Sequence, residues 1–79
     1  MVQKMTNNPL YQAAMARAKA QEQTALSTLG IYFTKAVAIG EHPDFATEID
    51  KYVDLLSQAT DRIEALNKVA RLAANEEGE

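Results

Sequence analysis

Apolar residues recur through the second half of the chain with sustained regularity. Phe45, Ile49, Tyr52, Leu56, Ala59, Ile63, Leu66, Ala70 and Ala73 follow one another at intervals of 4, 3, 4, 3, 4, 3, 4 and 3. Residues so spaced fall on one helix face, and a seam held over about four heptads is the pattern of left-handed coiled-coil packing. Asp50, Lys51, Asp54, Ser57, Gln58, Asp61, Glu64 and Lys68 occupy the intervening polar positions and suit a solvent face. Glu64 and Lys68 stand at i,i+4, a pair that supports a helix by a few tenths of a kcal/mol. The pattern predicts a helix over about 44–74, with the acidic residues 76–79 fraying beyond it.

The first half is helical by a different signal. Residues 1–7 show no periodicity and read as a flexible arm. Asn8 can accept hydrogen bonds from the unpaired amides of a first turn, and Pro9 suits the first helical position. Strong helix formers follow, Ala13, Ala14, Ala16, Ala18, Ala20 and Ala25 among them. Leu26, Leu29, Phe33, Ala36 and Gly40 then recur at alternating threes and fours, and Glu22 continues their phase backwards. That row is the expected inward face of a helix over about 9–39, with Ala25, Tyr32, Val37 and Ile39 widening it. Leu29-Gly30-Ile31-Tyr32-Phe33 does not alternate, which argues against a strand. Gly30, inside this helix, is either a tolerated weak point or a place where a neighbouring helix comes close.

Between the two lies a bend at 40–43. Gly40 is suited to end the first helix in a left-handed conformation, and His42-Pro43-Asp44 to start the second. The fold class is therefore all-α, an antiparallel hairpin of two long helices forming a single domain over 8–75. With the bend centred near residues 41 and 42, facing positions sum to about 82 or 83. Phe33 then faces Ile49, Leu29 faces Val53 or Tyr52, Leu26 faces Leu56, and Met15 faces Leu66. The same register brings Lys35 near Glu48, Lys19 near Glu64 and Glu22 near Arg62.

The apolar surface is wider than two helices can cover. Leu55 and Val69 flank the second seam on one side and Val53 on the other. Two lone helices of about 45 Å are poorly stabilised, so a homodimer forming a four-helix bundle is expected. The residues assigned to the core or dimer interface are Leu26, Leu29, Tyr32, Phe33 and Val37 in the first helix. In the second they are Phe45, Ile49, Tyr52, Val53, Leu55, Leu56, Ile63, Leu66 and Val69. The bend end carries Glu41, Asp44, Glu48, Asp50 and Asp54 against Lys35 and Lys51, while Arg17, Lys19, Lys68 and Arg71 gather at the open end, with Lys4 on the arm and the acidic tail partly offsetting them. That polarity favours antiparallel pairing of two hairpins.

Composition narrows the chemistry. With 79 residues and no cysteine, the chain is one small domain without disulfides or thiolate ligands. Its first residues lack the apolar run of a signal peptide and no stretch is long enough to span a bilayer, so a cytoplasmic protein without a membrane partner is expected. The net charge of −3 and the absence of tryptophan argue against nucleic acid as a partner. His42, beside Glu41 and Asp44, is the only histidine, and one turn rarely supplies a converging metal or catalytic site, so it reads as part of the second helix's start. Gly30, Gly40 and Gly78 make no phosphate loop, and Ser27 and Ser57 have no nearby base. The sequence thus predicts no catalytic residues, cofactor or metal. Its expected role is a non-enzymatic interaction or scaffold module acting as a homo-oligomeric bundle, with room for a further protein partner. The second reading is a small RNA- or DNA-binding regulator resembling, in architecture alone, the dimeric hairpins of the Rop type.

Overall fold

The computed structural model describes residues 5–35 and 45–77. They form a short 3₁₀ turn, Met5–Asn7, then α1, Pro9–Lys35, and α2, Phe45–Glu77. The two long helices pack against each other, so the described chain is an all-helical hairpin. Gly40, His42, Pro43 and Asp44, the expected bend, lie outside the described residues, as does Val37.

Local chemistry accounts for the start of α1. The Asn8 side-chain oxygen accepts hydrogen bonds from the backbone amides of Leu10 (2.8 Å) and Tyr11 (3.4 Å), satisfying donors that a first turn leaves unpaired. Residues 5–7, where the pattern suggests a flexible arm, make a turn that lies against both helices. It is tied down from two directions. The Asn8 amide donates to the Met5 carbonyl at 3.0 Å, and the Gln12 side-chain amide donates to the Thr6 carbonyl at 3.1 Å. At the start of α2, Glu48 lies in the first turn, where a carboxylate is favoured by the helix dipole.

The seam of α2 packs as the spacing predicts. Ala59 is buried, and Phe45, Ile49, Tyr52, Leu56, Ile63, Leu66, Ala70 and Ala73 are half-buried. The inward face of α1 is different from the expected one. Tyr11, Met15, Ala18, Glu22, Ala25, Leu29 and Tyr32, spaced 4, 3, 4, 3, 4 and 3, are the buried and half-buried row, while Leu26 and Phe33 are exposed. Relative to the expected row, Ala25 replaces Leu26 and Tyr32 replaces Phe33, a rotation of about 100° at those positions. At Ala25 size explains the outcome, since a methyl lets two helix backbones approach more closely than leucine would, while Tyr32 is held inward by its ring contacts with Phe45 and Tyr52.

The interior is consequently slight. Among the described residues, the buried apolar side chains are Ala18, Ala25, Leu29 and Ala59. The molecule is a rod, 60 × 16 × 15 Å, with a radius of gyration of 17.6 Å. A compact chain of this length would have about 12 Å.

Candidate interaction surface

Polar pins join the two helices along one side of the seam. The Tyr11 hydroxyl donates to the Leu66 carbonyl at 3.1 Å. The Gln21 side-chain amide donates to the Leu55 carbonyl at 2.9 Å, and its oxygen accepts from Arg62 Nη1 at 2.8 Å. At the bend end the rings close the gap. Tyr32 meets Phe45 edge-on, with centroids 5.1 Å apart at 81°, and Tyr52 at 6.0 Å and 53°. The Lys51 ammonium sits 5.4 Å from the Tyr52 ring centroid. Such ring pairs add about 0.5–1.5 kcal/mol each beyond the area they bury.

These pairs report the register. Their position numbers sum to between 76 and 84 and centre about three below the expected 82 or 83, a slide of less than one helical turn. One expected charge pair is replaced. Arg62 reaches Gln21 and not Glu22, because Gln21 and Glu22 leave α1 about 100° apart and only Gln21 points to the flank that Arg62 occupies. The Lys35 side chain, expected near Glu48, lies outside the described residues.

The two lateral sides of the hairpin differ in chemistry. Ala14, Arg17 and Ala18 of α1 line a hollow of about 480 Å³ with Arg62, Ala65 and Leu66 of α2. Those residues, with Gln21, define a flank that is guanidinium-lined and pinned by hydrogen bonds. Leu26 and Phe33, seven residues apart and so within about 20° of one another, leave α1 on the opposite flank. On α2 the matching flank carries Ile49, Val53 and Leu56. Leu26, Phe33 and Val53 are 47%, 59% and 44% exposed, and Ile49 and Leu56 are half-buried. This second flank is an apolar strip beside the bend end.

Of the remaining residues that the sequence points to, Leu29 is buried, Tyr32, Phe45, Tyr52, Leu55, Ile63 and Leu66 are half-buried, and Val69 is exposed on the guanidinium side. Leu10, Ile31 and Leu72 are further exposed apolar residues that periodicity did not single out. Tyr11 and Gln21 also escaped it. Tyr11 could have been found from its place in the 4–3 row, whereas glutamine in a helix carries no distinguishing signal.

Gly30 does not mark a close approach within the chain, since a Cβ built there meets nothing within 4 Å. Among the described residues, no group of three His, Cys, Asp or Glu side chains could hold a metal ion. No helix among them is long and apolar enough to cross a membrane. A second hollow, about 530 Å³, is bounded by Asp61, Glu64, Ala65, Asn67, Lys68 and Arg71, all from α2. It is an open groove on one helix. No protein-family model, curated protein or solved structure matches the chain.

Proposed function

We propose that this chain is a non-enzymatic interaction module whose working form is a homo-oligomeric helical bundle, in the first instance a dimer. One observation carries the reading. Among the described residues the hairpin buries three alanines and one leucine, yet leaves Leu26, Phe33, Val53 and other large apolar side chains partly in water. A leucine, phenylalanine or valine withdrawn from water contributes about 1.5–3 kcal/mol, far more than an alanine methyl. The larger apolar gain is thus available only outside the single chain. A core this small also falls short of what an unreinforced domain of this length needs, and association is one of the few remedies open to a chain without cysteine.

The surface area supports the same reading. The chain exposes 6031 Å², whereas a globular monomer of 8.7 kDa exposes about 4,700 Å². The excess is larger than the roughly 800 Å² that each partner contributes to a standard interface. Beyond self-association, the outer helix faces of the bundle would present further positions to another protein.

Sedimentation equilibrium tests this reading. The expected mass at micromolar concentration is twice the 8.7 kDa of the chain. A well-folded species at 8.7 kDa would refute the proposal.

A further inference from the structure

We infer that the second copy docks on the strip formed by Leu26, Phe33, Ile49, Val53 and Leu56, in antiparallel orientation, with the two-fold axis crossing near Leu26 and Val53. This rests on the dimeric reading and adds to it a face, an orientation and a centre.

The face follows from the contrast between the two flanks. On the guanidinium side, Gln21 and Arg62 already bond across the helices, and Arg17 and Arg62 border the hollow. Covering that side would desolvate two guanidinium groups, a costly burial. Val69 and Leu10, also exposed, stand at the open end and are separated from the bend end by those arginines. The opposite flank presents Leu26, Phe33 and Val53 without such an interruption, over an apolar floor of half-buried Ile49 and Leu56. A second copy brings the same strip, and a self-complementary patch is what a two-fold interface requires.

The centre follows from the register. Cross-helix pairs sum to about 80, so Leu26 and Val53 stand at the same height on the rod. Phe33 and Ile49 lie towards the bend from that level and Leu56 towards the open end. An axis through it sets Leu26 on Leu26, Val53 on Val53 and Ile49 beside Leu56 of the other copy, while Phe33 comes level with its Lys19.

Charge selects between the two orientations that keep neighbouring helices antiparallel. With both bends at one end, Glu48, Asp50 and Asp54 of the two copies would share that end against Lys35 and Lys51 of each. With the bends at opposite ends, Lys19 of one copy comes level with the bend end of the other. The exchange of acidic and basic neighbours favours the second arrangement. It stacks α1 on α1 and α2 on α2, and only then do residues near the axis meet their own counterparts.

The absence of cysteine makes this directly testable. Single variants Leu26→Cys, Val53→Cys and Val69→Cys and the double variant L26C/V53C are oxidised mildly at micromolar concentration, their helicity checked by circular dichroism and their products by non-reducing gel. Leu26→Cys and Val53→Cys are each expected to give mostly disulfide-linked dimer, several-fold more than Val69→Cys. If neither single variant links and only the double variant does, the orientation is parallel and the inference fails. If Val69→Cys links best, the face is wrong. Sedimentation of the wild-type chain separates the two levels. A monomer overturns dimer and face together, whereas a dimer with a discordant cross-linking pattern overturns the face and orientation alone.

Discussion

The two helices use their apolar residues differently. α2 turns its regularly spaced row, Phe45 to Ala73, inward and leaves Val53, Val69 and Leu72 exposed beside it. α1 has an inner row and, beside it, Leu26 and Phe33, each about 100° round the helix from its inner-row neighbour Ala25 or Tyr32. The inner row includes Ala18, Ala25, Leu29 and Tyr32, and Leu26 and Phe33 make the outer one. Leu26 and Phe33 look like core by size, but the hairpin closes on a row in which Ala18 and Ala25 stand between larger side chains. Close approach of two helices is limited by side-chain bulk, so alanine decides where backbones meet and larger residues stand where there is room. In α1, therefore, Ala18 and Ala25 mark where the backbone comes nearest to α2, and Leu26 and Phe33 stand outside that contact.

The sharpest way to break this contrast is to exchange sizes at adjacent positions. Ala25 is 1% exposed, and Ala25→Leu should force the helices apart at a cost of about 1–3 kcal/mol. Leu26→Ala, one residue on, should change the hairpin's own stability by no more than about 0.5 kcal/mol while weakening association. Urea unfolding, run at low and high protein concentration, measures both effects. If Leu26→Ala destabilises the dilute protein as much as Ala25→Leu, the two rows have been assigned the wrong way round.

A smaller effect is expected where the inner row is held in register. Alanines offer little to distinguish one register from the next, whereas a directed hydrogen bond does. Tyr11→Phe removes the bond to the Leu66 carbonyl and should cost about 1 kcal/mol. Amide exchange near residue 66 should rise with it, and unchanged stability and exchange would show that the seam needs no pin there.

The smallest effect has the opposite sign. Gly30→Ala adds a methyl where the chain has nothing within 4 Å and improves helix propensity, for an expected gain of about 0.5–1 kcal/mol. A fall in melting temperature would instead show that something outside the chain, such as a second copy, fills that space.

How much of this could be read from the residues depends on what each residue announces. Ile49, Leu56, Ile63 and Leu66 are large, apolar and regularly spaced, so the α2 seam was legible almost entirely. Asn8 announced the start of α1 because its capping chemistry is local, requiring only the amides of Leu10 and Tyr11. The inward face of α1 was obscured, because alanine is common on every side of a stable helix and Ala18 and Ala25 look no different from exposed Ala13 and Ala16. The register was recovered to within one turn. Its pins were not, since the bonds from Tyr11 and Gln21 go to backbone carbonyls, which no side-chain pattern reveals. The apolar strip was half-visible: Leu26, Phe33 and Val53 were marked as core or interface, and only the packing of α1 separates those two roles.

The central claim, that the outer row of α1 and its neighbours on α2 are covered by a second copy, is tested most directly by how the melting temperature depends on protein concentration. A dimer is stabilised by mass action, so a hundredfold rise in concentration adds about 2.7 kcal/mol and should raise the melting temperature by several degrees. Combining Leu26→Ala with Val53→Ala should flatten that dependence while the helical signal of the cooled protein persists. A wild-type melting temperature that stays constant across the same range would contradict the account.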